Sequence, residues 1–113
     1  MSQFSVILLT LAAFSAAGGQ LLFKMGAQGR EQWLEFFNWP ILMGLLLYGT
    51  GTLVWIYALS YEKLVNVYAF TALTFVLVYI GGIFVIGEKI SMAGFMGILL
   101  VMAGLYLITS YNT

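Results

Sequence analysis

With 113 residues, 63% of them apolar and only 7% charged, and a mean hydropathy of +1.04, the chain is far too apolar to be a soluble globular domain. Its charges cancel, four basic against four acidic, and none of them forms a basic run, so nucleic acid is not an expected partner. Cysteine and histidine are both absent, which removes disulfides, thiolate chemistry, haem and the usual zinc sites, and no cofactor or enzymatic activity is expected. The charged residues Lys24, Arg30, Glu31, Glu35, Glu62, Lys63, Glu88 and Lys89 leave four charge-free stretches between them. Each is close to or above the roughly 20 residues that cross a bilayer. The expected fold is therefore an all-α integral membrane protein, a single domain over 1–113. It is a four-transmembrane-helix bundle with spans at about 4–24, 40–60, 65–86 and 91–111.

The first span lacks a basic leader and is read as a mature helix rather than a signal peptide. Its last third, Ser15-Ala-Ala-Gly-Gly-Gln-Leu-Leu-Phe-Lys24, turns from apolar to small, then polar, then positive. On a helix, Ala13, Ala16, Gln20 and Lys24 share one face, with Ser15 and Gly19 on the neighbouring strip. In a bilayer such a face is a smooth groove that ends in an amide and an ammonium, suited to a polar headgroup. The same residues also fit ordinary helix packing and a snorkelling lysine anchor. Residues 25–39 form the one long connection. Trp33, Leu34, Phe36, Phe37 and Trp39 alternate there with Arg30, Glu31 and Glu35, as in a short interfacial segment between the first two spans. It reads either as a lid beside the groove or as an aromatic anchor.

Pro40 suits the start of the second span, where its missing N–H costs nothing. That span carries Tyr48, Thr52 and Trp55 on one face. The third carries Asn66 near its start and Tyr68, Thr71, Phe75 and Tyr79 along one face, a stripe that fits either a cavity lining or core packing. The turn Gly87-Glu88-Lys89 leads into the fourth span, where Ala93, Gly97 and Gly104 line up as a helix-association face.

Four segments carry a family resemblance: Ala17 to Lys24 (AGGQLLFK), Val67 to Val76 (VYAFTALTFV), Ile86 to Ser91 (IGEKIS) and Met102 to Ile108 (MAGLYLI) after Gly97. In this order and spacing the chain resembles a four-helix, EamA-like member of the drug/metabolite transporter superfamily. Within that superfamily it is more similar to the aminoarabinose-undecaprenyl-phosphate flippase subunits than to the small multidrug resistance exporters. The latter carry a glutamate in the middle of the first helix, and the matching position here is Ala16. A proton-coupled cation exporter needs such a buried carboxylate, because an unpaired cation in low dielectric is very costly.

The resemblance implies a transporter in the bacterial inner membrane whose cargo is a polyprenyl-phosphate-linked sugar. Lys24, Gln20, Ser15, Arg30, Trp55, Asn66, Tyr68, Thr71, Tyr79 and Glu88 are the candidate cargo contacts. Glu88 either pairs with Lys24, contacts an amino sugar, or is an ordinary solvated charge. Two alternatives stay open: a small multidrug or metabolite exporter using the aromatic stripe for cation–π contacts, and a non-transporting membrane subunit of a glycosyltransferase system. Lys24, Arg30 and Lys89 against Lys63 place the 24–39 and 87–90 connections weakly on the cytoplasmic side, a bias small enough for dual topology. One chain is too small to enclose a headgroup. A homodimer, or a heterodimer with a paralogous four-helix subunit, is expected through Ala93, Gly97 and Gly104.

Overall fold

A 25-residue helix, α1 (Gln3–Ala27), is the axis of the molecule; at 1.5 Å per residue it is about 37 Å long, enough to cross a roughly 30 Å hydrocarbon core. The computed structural model describes residues 2–111, and residues 1, 112 and 113 lie outside the described residues. After α1 come a 3₁₀ turn (Trp33–Phe36), α2 (Trp39–Leu59), α3 (Leu64–Tyr68), α4 (Phe70–Gly81), a π-helical turn (Gly82–Ile86) and α5 (Met92–Tyr111). Among the described residues there is no strand.

Local chemistry explains where these elements start and stop. Ser2 caps α1, its hydroxyl accepting the Ser5 N–H at 3.2 Å. At the other end α1 continues three residues past the expected boundary at 24, so Lys24 sits in its last turn. The Lys24 carbonyl accepts the Gln28 N–H at 3.0 Å, and the Gly26 carbonyl accepts Nε of Arg30 at 3.1 Å, which satisfies carbonyls that a helix end leaves free. Asn38 begins α2 and also ties it to α1. Its Oδ1 accepts the Ile41 N–H at 3.1 Å, while its Nδ2 donates to the Gly26 and Glu35 carbonyls, each at 2.9 Å. Pro40 falls in the first turn of α2, as expected.

The third span, expected as one helix over 65–86, crosses as one apolar stretch, Leu64–Ile86, but in three pieces. At Ala69 the backbone keeps helical angles while the Ala72 N–H takes a tighter bond to the Ala69 carbonyl at 3.0 Å. At the far end the π turn closes with Gly87 at φ +85°, a left-handed conformation that glycine adopts without strain. This brings the Glu88 N–H back to the Gly82 carbonyl at 2.9 Å. Ser91 then caps α5, accepting the Gly94 N–H at 3.1 Å.

Packing is organised around α1, with α2 along one flank, α4 along the other, and α5 mainly against α4. The seam between α1 and α2 is close enough to need glycine. A Cβ on Gly19 would stand 2.9 Å from the Gly44 carbonyl, and one on Gly51 would stand 3.0 Å from the Ala12 carbonyl. Leu9, Ala58, Val67 and Phe70 make a buried cluster toward the end where Glu62 lies. At that end the Ser5 hydroxyl and the Ser2 N–H hold the Glu62 carboxyl below the ordinary carboxylate range. Among the described residues, three helical stretches, α1, α2 and the Leu64–Ile86 run, are long and apolar enough to span a membrane and α5 adds a shorter apolar helix, so the chain is an all-α, multi-pass membrane protein with four apolar helical segments. The overall extents of 47 × 35 × 18 Å describe a slab under two helix diameters thick.

Candidate functional site

The flat arrangement leaves a cleft of about 140 Å³ over α1, between α2 and α4. Leu9, Ala12, Ala13, Ala16 and Gln20 form its floor; Tyr48, Gly51, Thr52 and Trp55 form the α2 wall; Phe70, Thr71 and Thr74 form the α4 wall. Small residues along α1 make room for it. Gln20, Tyr48, Thr52 and Thr71 are exposed, so the polar rim faces outward and the cleft opens sideways. Two of its hydroxyls are spent on their own helices: Thr52 donates to the Tyr48 carbonyl at 3.0 Å and Thr74 to the Phe70 carbonyl at 3.3 Å. The Gln20 amide, the Tyr48 phenol, the Trp55 indole N–H and the Thr71 hydroxyl supply polar groups to a guest. None of the lining residues is acidic or basic.

Charge stands one turn away. Lys24 follows Gln20 by four residues, about 6 Å along α1. Its Nζ lies 3.8 Å from Oε2 of Glu88, with the two side chains 50% and 56% exposed. The π turn and left-handed Gly87 put the carboxylate there; a Cβ on Gly82 would stand 3.0 Å from Glu88 Oε1. Of the alternatives for Glu88, pairing with Lys24 is the one this geometry contains. At this separation and exposure the pair is a loose one, of about 0–1 kcal/mol, so it is readily exchanged for other partners.

The sequence-derived candidates divide accordingly. Gln20, Trp55 and Thr71 line the cleft, and Lys24 and Glu88 flank its end. Ser15 instead packs at the α1–α2 seam against Gly51. Arg30 is engaged with the end of α1, while Tyr79 stacks at 4.7 Å on Phe75, and neither lines the cleft. Tyr68, 60% exposed and in the short α3 before the tightened turn at Ala69, also lies outside it. Asn66 is partly buried, with Oδ1 enclosed and without a hydrogen-bond partner. Thr74 lines the cleft and went unnoticed in the sequence, although its spacing of three from Thr71 is a helical signal. No residue of the 33–37 segment lines the cleft. That segment rests beside α2, its turn fixed by Glu35, whose carboxyl is held below the usual range by the backbone N–H groups of Glu31 and Gln32. Ala93, Gly97 and Gly104 lie on α5, and a Cβ added at either glycine would meet nothing within 4 Å.

A multi-pass helical membrane protein with a sideways-open cleft of mixed apolar and polar lining, no acid inside it and an ion pair at its end presents a surface suited to an amphiphile. Against known proteins, the chain is 30% identical over 112 residues to the probable 4-amino-4-deoxy-L-arabinose-phosphoundecaprenol flippase subunit ArnE of Pectobacterium atrosepticum, covering 91% of this chain and 96% of that one. It is 27% identical over 104 residues to the protein of the same name from an Enterobacter species, covering 92% and 95%. The chain belongs to this family of ArnE flippase subunits, as its sequence motifs led us to expect. No protein-family model matches it, and no solved structure does.

Proposed function

We propose that the chain is one subunit of a flippase that carries a polyprenyl-phosphate-linked amino sugar, the cargo type in its relatives' names, across the bacterial inner membrane. The observation that carries this reading is the Lys24–Glu88 pair beside an uncharged cleft that sets a few polar groups among apolar ones. A phosphodiester is anionic and a sugar amine is cationic at neutral pH, so the headgroup carries both charges, as the pair does. Lys24 takes the phosphate and Glu88 the ammonium, in place of each other. The amide and hydroxyl groups of Gln20, Tyr48 and Thr71 then hydrogen-bond the sugar, and Trp55 offers an apolar face to it. The hydrocarbon chain stays outside the cleft, which the cleft's sideways opening permits. The role is transport rather than catalysis.

A second chain completes the path. Unsatisfied polar groups in the hydrocarbon core cost several kcal/mol each, and pockets that enclose small molecules measure about 300–1,000 Å³, whereas this cleft offers about 140 Å³ and is open on one side. The partner is a paralogous subunit or an identical copy, joined along Ala93, Gly97 and Gly104 of α5. Gly97→Leu and Gly104→Leu are expected to lower the dimer fraction at least tenfold by opposing close backbone approach. Mass determination in nanodiscs reads this, and leucine variants that stay dimeric and transport normally would show that the face merely meets lipid.

The function is tested in liposomes holding the chain with its partner subunit, by following passage of a fluorescent polyprenyl-phosphate amino sugar between leaflets. Flipping of this lipid, with no uptake of ethidium, is the expected result. Ethidium transport driven by a proton gradient would overturn it, and so would a lipid that never crosses.

A further inference from the structure

We infer that the apolar groove beside the Trp33–Phe36 turn is the docking site for the polyprenyl chain of the cargo, an inference that rests on the reading above. The groove, about 740 Å³, lies outside the cleft and is lined by Trp33 and Phe37 of the connecting segment and by Trp39, Leu42 and Leu45 of α2. Its polar lining residue, Asn38, has both amide hydrogens committed to the Gly26 and Glu35 carbonyls and its oxygen to the Ile41 N–H. The indole N–H groups of Trp33 and Trp39 are the remaining side-chain donors of the lining and suit the headgroup level, so the body of the groove is apolar and takes hydrocarbon.

Placement makes that hydrocarbon the cargo's own chain. Trp33 and Trp39 belong at headgroup level, where tryptophan concentrates, and Leu42 and Leu45 carry the groove one to two turns inward along α2. Along α2, positions 41, 45, 48 and 52 follow one another at spacings of four, three and four and form one continuous strip. The first two line the groove, and Tyr48 and Thr52 line the cleft. Tyr48 is thus the joint between an apolar groove and a cleft that carries polar groups. An amphiphile that spans both, tail in the groove and head in the cleft, is held by both ends at once. Ordinary acyl chains touch every lipid-facing surface and are not tied to this strip.

The chain together with its partner subunit in nanodiscs is titrated with undecaprenyl phosphate and with farnesyl phosphate, read by native mass spectrometry. Because Leu42 and Leu45 are about half exposed, Leu42→Trp and Leu45→Trp fill the groove without disturbing the helix seam. Leu53→Trp, 70% exposed on the same helix outside the groove, is the control. Undecaprenyl phosphate should bind at least tenfold tighter than farnesyl phosphate to the unaltered chain and to Leu53→Trp. In the groove variants that preference should fall below about threefold with farnesyl phosphate affinity unchanged. A preference that survives in the groove variants, or phosphatidylglycerol competing as well as undecaprenyl phosphate, overturns the inference and leaves the cargo reading standing. If neither polyprenyl phosphate binds the unaltered chain, the cargo reading itself fails.

Discussion

Lys24→Ala is expected to cut flipping by at least tenfold while leaving the amount of folded protein in the membrane nearly unchanged. The two halves of this outcome come from different physics. A charge-assisted hydrogen bond to a phosphate contributes about 1.5–3 kcal/mol, or roughly ten- to a hundredfold at 1.4 kcal/mol per decade. The ion pair with Glu88, in contrast, is half exposed and 3.8 Å long, so its loss leaves the helices packed. Lys24→Arg should keep part of the rate, since the charge persists but a planar fork replaces a point charge. Glu88→Gln should lose preference for an amino sugar over a neutral sugar on the same lipid, with the phosphate contact intact. The exchanged pair, Lys24→Glu with Glu88→Lys, separates a binding role from a brace. A brace is restored by the exchange, whereas a site that meets phosphate at position 24 is not. Full flipping by the exchanged pair or by Lys24→Ala would therefore remove these residues from the cargo site.

The second large effect lies in the α1–α2 seam. Gly19→Ala would push a Cβ to 2.9 Å from the Gly44 carbonyl and 3.0 Å from the Tyr48 nitrogen, and backbone atoms cannot step aside as a flexible side chain can. Gly51→Ala meets the Ala12 carbonyl at 3.0 Å. Each should destabilise by about 1–3 kcal/mol, the usual cost of overpacking, and should lower the thermal midpoint in detergent. Gly49→Ala is the internal control. A Cβ there meets nothing within 4 Å, and the added helix propensity should leave stability unchanged or raise it by up to about 1 kcal/mol. Because Tyr48 and Gly51 also line the cleft, the seam variants should lose transport along with stability. If Gly19→Ala and Gly49→Ala melt alike, the close approach is not what holds α1 to α2.

The number and approximate limits of the spans, and the membrane class, were determined by the sequence alone. Eight charges separate four apolar stretches, and the cost of placing charge in hydrocarbon leaves few other arrangements. Pro40 at the start of α2 was legible for a similarly local reason. The motifs around Gln20, Lys24 and Gly87-Glu88 likewise pointed to the family to which the chain belongs. The tertiary structure decided which polar residues meet. Helical spacing put Tyr68, Thr71 and Tyr79 on one stripe, yet only Thr71 reaches the cleft: Tyr68 precedes the tightened turn at Ala69, and Tyr79 lies about two turns beyond Thr71 along α4, where it packs on Phe75. Arg30 looked available, yet its Nε donates to the Gly26 carbonyl at the end of α1, beside the amide of Asn38. The approach of Glu88 to Lys24 depends on a π turn and one left-handed glycine that lie far along the chain from Lys24. Polarity and helix ends are set by nearby residues and can be read one stretch at a time. Which faces turn toward one another is set by the fit of Gly19 to Gly44 and of Gly51 to Ala12, where two backbones must touch before the cleft between their helices exists.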